Sequence, residues 1–258
     1  MNFSFKEISD MSSIKELITS VKTNIWNSRI DKNPNIYNEY LKSIGINIGE
    51  NVLFVKPSSN SIDTSAPCLI SIGNNVCISK GVTLFVHDYS AFVQRNVTGE
   101  VLGGVDSITI GNNIQIGADV TILMGTIIKD NVIIAAGAVC KGILESGFVY
   151  GGVPARKIQS IGDFITKRRK DQLREATNLA LSYYKKYQRF PDEKFYYPFH
   201  LFPVFLHVND WPKSFWEGFG QKLSKQKILD FYKDYKPQFS CYRDFIESVE
   251  EKYVKKDY

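Results

Sequence analysis

Cysteine is scarce in this sequence, and its spacing is irregular. The 258 residues contain four cysteines, Cys68, Cys77, Cys140 and Cys241, and no two of them form a C-x-x-C pair. Disulfide frameworks and zinc knuckles depend on paired or regularly spaced cysteines. The pattern therefore argues against both and favours free thiols in a reducing compartment.

Long apolar runs are also absent. No segment reaches the roughly 18 consecutive apolar residues that a membrane-spanning helix needs. The opening stretch MNFSFKEISDMSSIKELITS carries acidic residues, whereas a secretory signal would have an uninterrupted apolar segment there. We therefore expect no transmembrane segment and a cytoplasmic location.

Signatures of nucleotide and nucleic-acid binding are missing too. The sequence has no P-loop and no dinucleotide-binding glycine fingerprint, so neither ATP nor NAD is implied. The net charge of +5 is modest, and no dense basic stretch is interleaved with aromatic residues. We expect no nucleic-acid partner, although the same charge suits a small polyanion.

The hydrophobic content of 43% and charged content of 23% are those of a folded globular chain. Residues 1–45 are predicted to form N-terminal helices. The first is expected to begin at an S-x-x-E capping box that starts at Ser13. The second is framed by Asn33 as N-cap, Pro34 in its first turn and Gly45 at its end.

Aliphatic residues recur every six positions in the middle of the chain. The residues in phase are Ile48, Ile72, Ile78, Leu84, Ile110, Ile116, Ile122, Ile128 and Ile134, and four positions after members of this set stand Val76, Val82, Ile114, Val120, Val132 and Ala138. Small residues often follow the first set, as at Gly73, Gly111, Gly117 and Ala135. Such a period predicts a coil with three short strands in each turn and small residues at its corners. The period alone does not fix the hand of the coil.

Three segments carry a resemblance to a known family. IGNNVCISKGVTLFVHD, IGNNIQIGADVTILMGTIIKDNVIIAAGAVCKG and YGGVPARKI resemble the hexapeptide-repeat acyltransferases, particularly the bacterial sugar and capsule O-acetyltransferase branch, over residues 41 to 160. The resemblance implies a mainly β fold, the left-handed parallel β-helix. It also implies acetyl-CoA as co-substrate, a carbohydrate acceptor, and a homotrimer with active sites between subunits.

The repeat has two interruptions and a definite end. We assign the β-helix to residues 46–160, with a loop excursion at 89–107 that is expected to border the active site. The shorter segment 58–67 is interpreted as a simple interruption of the coil. Residues 161–258 are predicted to form a C-terminal helical region, in which the aromatic run 195–219 is either a small core or a surface for a membrane or partner.

His87 is the candidate catalytic residue. An imidazole can take a proton from an acceptor hydroxyl near neutral pH, and of the three histidines only His87 lies on the repeat. The resemblance carries the family's catalytic histidine to this position through VTLFVHD. The neighbouring Asp88 is expected to point to the opposite face of the strand, so that backbone or another carboxylate could orient the imidazole instead.

Further contacts are assigned by position. The residues proposed to contact or orient the acceptor are Asp88, Tyr89, Arg95, Asn96 and Gln115, with simple loop packing as the alternative for those in the excursion. Gln115 departs from the aromatic residue common in the family. The resemblance places acyl-CoA contacts at Gly117, Ala118, Ala136, Cys140, Lys141, Gly152, Pro154 and Arg156. In the family a basic residue that binds the 3′-phosphate of CoA often stands where this chain has Gln159. We therefore expect Lys157 or the run Lys167–Lys170 to replace it. The alternative for the run is an exposed helix face.

Several alternatives stay open from the sequence. Within the broad family, the acceptor could be a nucleotide-linked amino sugar or the hydroxyl of an antibiotic. A metal hydratase would need about three histidines at one site, so no metal is expected. A covalent route through Cys77 or Cys140 is disfavoured, because Cys140 keeps the inward phase and Cys77 has no adjacent base. A structural β-helix scaffold is the non-enzymatic alternative.

Overall fold

The computed structural model describes residues 5–217 and 221–254. The chain divides into two compact units, of which the first ends at Ile161 and the second begins at Gly162. Each unit has its own hydrophobic core.

Two helices open the first unit, α1 (Phe5–Lys32) and α2 (Pro34–Ser43). The predicted start of the first helix is wrong: α1 runs through Ser13 without a break. The residues before Ser13 include no proline or glycine, so nothing in them opposes an earlier start. The prediction for α2 is confirmed, because the Asn33 side chain accepts a hydrogen bond from the Asn35 N–H at 3.2 Å.

Three sheets of short strands follow; all the strands but the last are parallel, and in chain order these belong to the first, second and third sheet in turn. The first sheet contains β1 (Asn47–Ile48), β4 (Ile70–Ile72), β7 (Ile108–Ile110), β10 (Ile127–Ile128) and β13 (Ile143–Leu144). The second contains β2 (Val52–Phe54), β5 (Val76–Ile78), β8 (Ile114–Ile116), β11 (Val132–Ile134), β14 (Phe148–Gly151) and β15 (Arg156–Ser160). The third contains β3 (Ser61–Ile62), β6 (Thr83–Leu84), β9 (Thr121–Ile122) and β12 (Val139–Cys140). The predicted parallel coil of three-stranded turns is confirmed.

The interior of the coil is filled as the six-residue period predicts. Every residue of the two predicted inward sets is buried, with Ile78, Leu84, Ile116, Ile122 and Ile134 fully so. Parallel pairing places equivalent side chains on top of one another in successive turns, for example Ile72 beside Ile110. These ladders give the coil its apolar core.

The corners depend on asparagine as well as on small residues. A Cβ on Gly73 would lie 2.6 Å from the Gly111 carbonyl oxygen, so a small residue is required there. At the same corner Asn75 and Asn113 adopt left-handed backbone, with φ of 56° each, which asparagine tolerates better than most residues. The Asn75 amide donates to Asn113, which donates to Asn131 at 3.1 Å. A ladder of side-chain hydrogen bonds therefore joins the turns at this edge.

Elements outside the repeat lie at both ends of the second sheet. Helix α2 lies at its first end, where Asn38 Nδ2 donates to the Val52 carbonyl at 2.7 Å and Tyr37 packs edge-on against Phe54. At its other end β15 pairs antiparallel with β14. The coil therefore begins and ends in elements that break its repeat.

The excursion between β6 and β7 is not entirely loop. Residues Ala91–Val97 form the short helix α3. The stacked residues Asn74 and Asn112 are 38 positions apart across this excursion, whereas Asn112 and Asp130 in the next regular turn are 18 apart.

The second unit is helical. It contains α4 (Ile161–Tyr187), α5 (Lys213–Glu217), α6 (Gln221–Tyr232) and α7 (Tyr242–Val249), with short 3₁₀ segments at Glu193–Phe199, Phe202–Val204 and Val208–Asp210 and a π-helical turn at Glu250–Val254. Its core buries much of the aromatic run, including Tyr196, Phe202, Phe205 and Trp211, which confirms the core interpretation for these residues; Phe219 lies outside the described residues. Helices make up 44% of the structure, so the mainly β class applies to the coil alone. In the described part of the chain, no helix combines the length and apolarity that spanning a bilayer requires.

Candidate active site

His87 lies where the chain leaves the coil, shortly after β6. It forms an isolated antiparallel bridge with Val105, and the Asp88 N–H donates to the Gly104 carbonyl at 3.1 Å. The two ends of the excursion are thus held together beside the imidazole. The His87 side chain is 28% exposed, so it is held by the protein and still reachable from solvent.

Asp63 is the partner of His87. Its Oδ2 lies 2.6 Å from His87 Nδ1, and its side chain is only 8% exposed. Asp63 follows β3, and β3 pairs with β6 in the third sheet. The Asp63 N–H donates to the Leu84 carbonyl at 3.0 Å, so the parallel register itself brings the carboxylate beside the imidazole.

Further donors surround the Asp63 carboxylate. The Ser65 hydroxyl and N–H donate to Oδ1 at 2.6 and 3.0 Å, and the Val86 N–H donates to Oδ2 at 3.3 Å. Burial by itself would raise the pKa of Asp63. The hydrogen bonds from Ser65, Val86 and His87 outweigh burial and lower the pKa to about 2. Asp63 is therefore ionised at neutral pH.

The ionised carboxylate determines which imidazole nitrogen is free for chemistry. A carboxylate only accepts hydrogen bonds, so the proton of neutral His87 is assigned to Nδ1, facing Asp63. The lone pair of Nε2 is then available. This is the geometry that a general base requires.

Sequence reasoning missed Asp63. The interpretation of segment 58–67 as a simple interruption of the coil is wrong, because this segment supplies the residue that orients His87. A signal was present in the register: Ile62 pairs with Leu84, so a residue just after Ile62 lies beside the segment that leads to His87. Reading this signal from the sequence alone would require knowing how many residues the first turn of the coil contains.

The Asp88 side chain forms its hydrogen bonds within the excursion and not with His87. Its Oδ1 accepts from the Ser90 N–H and hydroxyl at 2.9 and 2.8 Å, and these bonds lower its pKa. Of the two alternatives for orienting the imidazole, backbone or another carboxylate, the structure places a carboxylate, that of Asp63, beside Nδ1. Tyr89 packs edge-on against the His87 ring, with 5.0 Å between the ring centroids, and is 81% exposed. Among the residues predicted to contact the acceptor, Tyr89 is therefore the one whose ring packs against His87.

Arg95 and Asn96 make contacts within their own helix. The Arg95 guanidinium lies 4.7 Å from the centroid of the Phe92 ring, and Asn96 Nδ2 donates to the Phe92 carbonyl at 2.8 Å. Both side chains are exposed. Their contacts match the loop-packing alternative, and no described hydrogen bond joins either of them to His87.

Gln115 lies on a different sheet from the segment that carries His87. It is the exposed central residue of β8 and pairs with Cys77 and Ile133 in the second sheet. His87 follows a strand of the third sheet. Within one chain, Gln115 is therefore on another side of the coil.

Three of the predicted acyl-CoA contacts in the repeat, Gly117, Ala118 and Ala136, lie at the same corner of two successive turns. The Gly137 N–H donates to the Ala118 carbonyl at 2.8 Å, and a Cβ on Gly117 would lie 2.5 Å from the Ala136 nitrogen. Ala136 is exposed at this corner, and Lys141 is exposed at the following corner, between β12 and β13.

Cys140 differs from the other predicted contacts. Its side chain is fully buried in the coil, and burial raises the pKa of the thiol to about 12. The inward orientation predicted from the period is confirmed. A contact between the Cys140 side chain and pantetheine is excluded in this conformation, because the thiol faces the core.

The closing motif is exposed. The Val153–Pro154 peptide bond is cis, and Gly152 has a φ of 92°. Arg156 Nη1 donates to the carbonyl of the preceding residue at 3.0 Å, and Lys157 Nζ lies 4.0 Å from the centroid of the Phe148 ring. Both cations thus remain at the surface.

The basic run Lys167–Lys170 lies on α4 in the second unit. Arg168 forms a two-pronged ion pair with Glu175, at 2.6 and 2.7 Å. Within residues 5–217 and 221–254, no group of three or more His, Cys, Asp or Glu side chains could hold a metal ion.

Comparison with known proteins identifies the family. No protein-family model matches the chain. Galactoside O-acetyltransferase of Escherichia coli (strain K12) is 34% identical over 152 residues, which cover 59% of this chain and 68% of that protein. Protein CapG of Staphylococcus aureus is 34% identical over 133 residues, covering 52% of this chain and 76% of CapG. A solved galactoside acetyltransferase in complex with coenzyme A aligns with a TM-score of 0.41 and 25% identity, over 55% of this chain and 82% of that one.

The chain thus contains a coil of six-residue repeats that carries a partly exposed imidazole beside a buried carboxylate. With the similarity to these relatives, the chain belongs to the hexapeptide-repeat acetyltransferase family. It is an acetyltransferase.

Proposed function

We propose that this enzyme transfers the acetyl group of acetyl-CoA to a carbohydrate hydroxyl, with His87 as general base and Asp63 as the residue that orients it. The observation that carries the proposal is the 2.6 Å contact between Asp63 Oδ2 and His87 Nδ1. It leaves Nε2 of a partly exposed imidazole free to accept a proton. The similarity to a galactoside O-acetyltransferase supports a sugar as acceptor.

The reaction balances without a covalent enzyme intermediate. Nε2 of His87 removes the proton of the acceptor hydroxyl while the hydroxyl oxygen attacks the thioester carbonyl carbon. The tetrahedral oxyanion then collapses, the carbon–sulfur bond breaks, and the thiolate of CoA receives the proton from Nε2. Asp63 stabilises the imidazolium that exists between the two proton transfers. A backbone N–H donor would stabilise the oxyanion.

The donor site is assigned to the surface around Gly117, Ala118 and Ala136, together with the exposed Lys141 at the following corner of the coil. Small corner residues permit close approach of pantetheine. The closing motif from Gly152 and Pro154 to Arg156 and Lys157 would supply positive charge to the phosphates.

We infer a left-handed coil and a homotrimer with active sites between subunits, as the family resemblance implies. In such a trimer a donor surface on one side of the coil can face His87 of a neighbouring subunit. Within one chain Gln115 lies in the second sheet, whereas His87 follows a strand of the third; this separation supports a site shared in this way. Light scattering of the purified protein measures the subunit number.

The test of the function is a comparison of two histidine variants. We expect the wild type to acetylate a galactoside or another saccharide in a panel that also contains a nucleotide-linked amino sugar, with product formation followed by mass spectrometry. His87→Ala should lower kcat by about a hundredfold or more, the usual size of a general-base effect. His207→Ala, in the second unit, is the matched control. Equal turnover of the two variants would contradict the assignment, and acetylation of the amino sugar nitrogen alone would favour N-acetyl transfer.

A further inference from the structure

The second unit contains a groove with an apolar floor and a cationic lining. It has a volume of about 910 Å³, within the range of sites that hold a whole small ligand. Its floor is apolar: Phe202, Val204 and Trp211 line it and are buried. Phe231, which also lines the groove, is 58% exposed. An apolar body could therefore lie along the floor, with much of its surface removed from water.

Cations line the same groove. Arg168, Arg169 and Lys170 come from α4, and Lys227 comes from α6. Among the described lining residues there is no aspartate or glutamate. An anion entering the groove would therefore meet cations without a competing carboxylate in the lining.

The four cations are not equally available. Arg168 is held by Glu175 in a two-pronged ion pair. Arg169, Lys170 and Lys227 form no ion pair within the described part of the chain. Arg169 instead lies 5.6 Å from the centroid of the Phe231 ring, which places a free guanidinium at the junction of the cationic and apolar surfaces.

We propose that this groove binds an amphipathic anion, a molecule in which a phosphate group is attached to an aliphatic chain. The apolar floor accounts for the chain, and the cations account for the phosphate. Neither feature alone selects this class: the floor would accept any neutral hydrocarbon, and the cations would accept any phosphate. The proposal does not depend on the acetyl-transfer reaction.

Isothermal titration of the full-length protein with three probes tests this proposal. Decyl phosphate carries both features, decanol carries only the chain, and inorganic phosphate carries only the charge. We expect decyl phosphate to bind at least about tenfold more tightly than either of the others, because charge-assisted hydrogen bonds and apolar burial act together. Equal affinities for decyl phosphate and decanol would overturn the proposal, as would equal affinities for decyl phosphate and inorganic phosphate.

Two variants test each half of the groove separately. The double variant Arg169→Gln with Lys227→Gln removes two exposed cations and should lower the affinity for decyl phosphate by about tenfold or more. Phe231→Ala removes an exposed aromatic ring and should weaken the binding of decyl phosphate severalfold. The binding of decanol should weaken as well. Lys185→Gln is the matched control, because Lys185 is an exposed cation of the same helix α4 outside the groove. Wild-type affinity in both groove variants would reject this site.

A competition experiment separates this site from a nucleotide site. The basic run on α4 is also a candidate for the phosphates of CoA, and CoA lacks a long aliphatic chain. We expect saturating CoA to leave the affinity for decyl phosphate unchanged. Displacement of decyl phosphate by CoA would show that the groove is a nucleotide site and would overturn the proposal.

Discussion

Asp63 and His87 are 24 residues apart in the sequence, yet the carboxylate Oδ2 lies 2.6 Å from the imidazole Nδ1. The contact joins two successive turns of the coil, because β3 and β6 pair in parallel. The rigid ladder of the third sheet thus sets the distance between them. A flexible loop alone would hold such a pair less firmly.

The Asp63–His87 pair predicts a specific effect of Asp63→Asn. An amide in place of the carboxylate can present its N–H to Nδ1 and so favour the tautomer in which Nε2 carries the proton. Nε2 then cannot act as base. We expect kcat to fall by about two orders of magnitude or more, with little change in KM for acetyl-CoA, in steady-state assays of the purified variant.

Asp88→Asn is the natural comparison for this substitution. Asp88 is next to His87 in the sequence, but its side chain accepts hydrogen bonds from Ser90. Its substitution should lower kcat much less than Asp63→Asn does. A larger loss in the Asp88 variant would mean that the wrong carboxylate has been assigned to the imidazole.

The lowered pKa of Asp63 makes its contribution to stability dependent on pH. Because its pKa is about 2 in the folded protein and 3.8 for an ordinary aspartate, the ionised form favours folding. The contribution is present above pH 3.8 and is lost as the pH falls through about 2. It is on the order of 2 kcal/mol, from about 1.4 kcal/mol per pKa unit.

Urea unfolding at several pH values measures this contribution. Asp63→Asn should be less stable than the wild type at pH 7 and pH 5, by a similar amount at both. The difference should shrink near pH 3 and below. If the stability difference between the wild type and Asp63→Asn instead grew as the pH fell, the pKa of Asp63 would be raised in the folded protein, and the assigned direction of the shift would be wrong.

Gly117 allows a structural role to be separated from a role in binding. A Cβ at this position would lie 2.5 Å from the Ala136 nitrogen and 2.8 Å from the Ile134 carbonyl oxygen. Both are backbone atoms that cannot move aside cheaply. We expect Gly117→Ala to lower the free energy of unfolding by about 1 to 3 kcal/mol, as overpacking does, in chemical denaturation without any ligand.

Gly137→Ala provides the comparison for Gly117. Gly137 has a φ of 71°, and a Cβ added to it would meet no atom within 4 Å. Alanine there would therefore bear backbone strain of about 1 to 2 kcal/mol but no clash. Unchanged stability of Gly117→Ala, together with weaker acetyl-CoA binding, would assign Gly117 to the donor site alone.

The parts of the fold that follow from local pattern could be predicted from the sequence. The six-residue period identified the inward residues from Ile72 to Ile134, because each strand buries side chains in a fixed phase. The cap at Asn33 and the proline after it located α2. In both cases the decisive signal lies within a few consecutive residues.

The parts that depend on long-range register could not be predicted. Asp63 meets His87 only because the first turn has a particular length, and turn length varies where segments such as 58–67 and 89–107 are inserted. The asparagine ladder was hidden for a related reason. Asn75 and Asn113 look like ordinary turn residues until the coil stacks them and joins their side chains.

The non-repeating elements at the two ends of the second sheet limit how the coil can associate with other molecules. Parallel ladders of this kind could in principle accept another copy's strand at an open edge and grow into fibres. At the first edge the Val52 carbonyl already accepts from Asn38, and at the far edge β15 reverses the strand direction. End-to-end polymerisation through parallel strands of this sheet is therefore disfavoured.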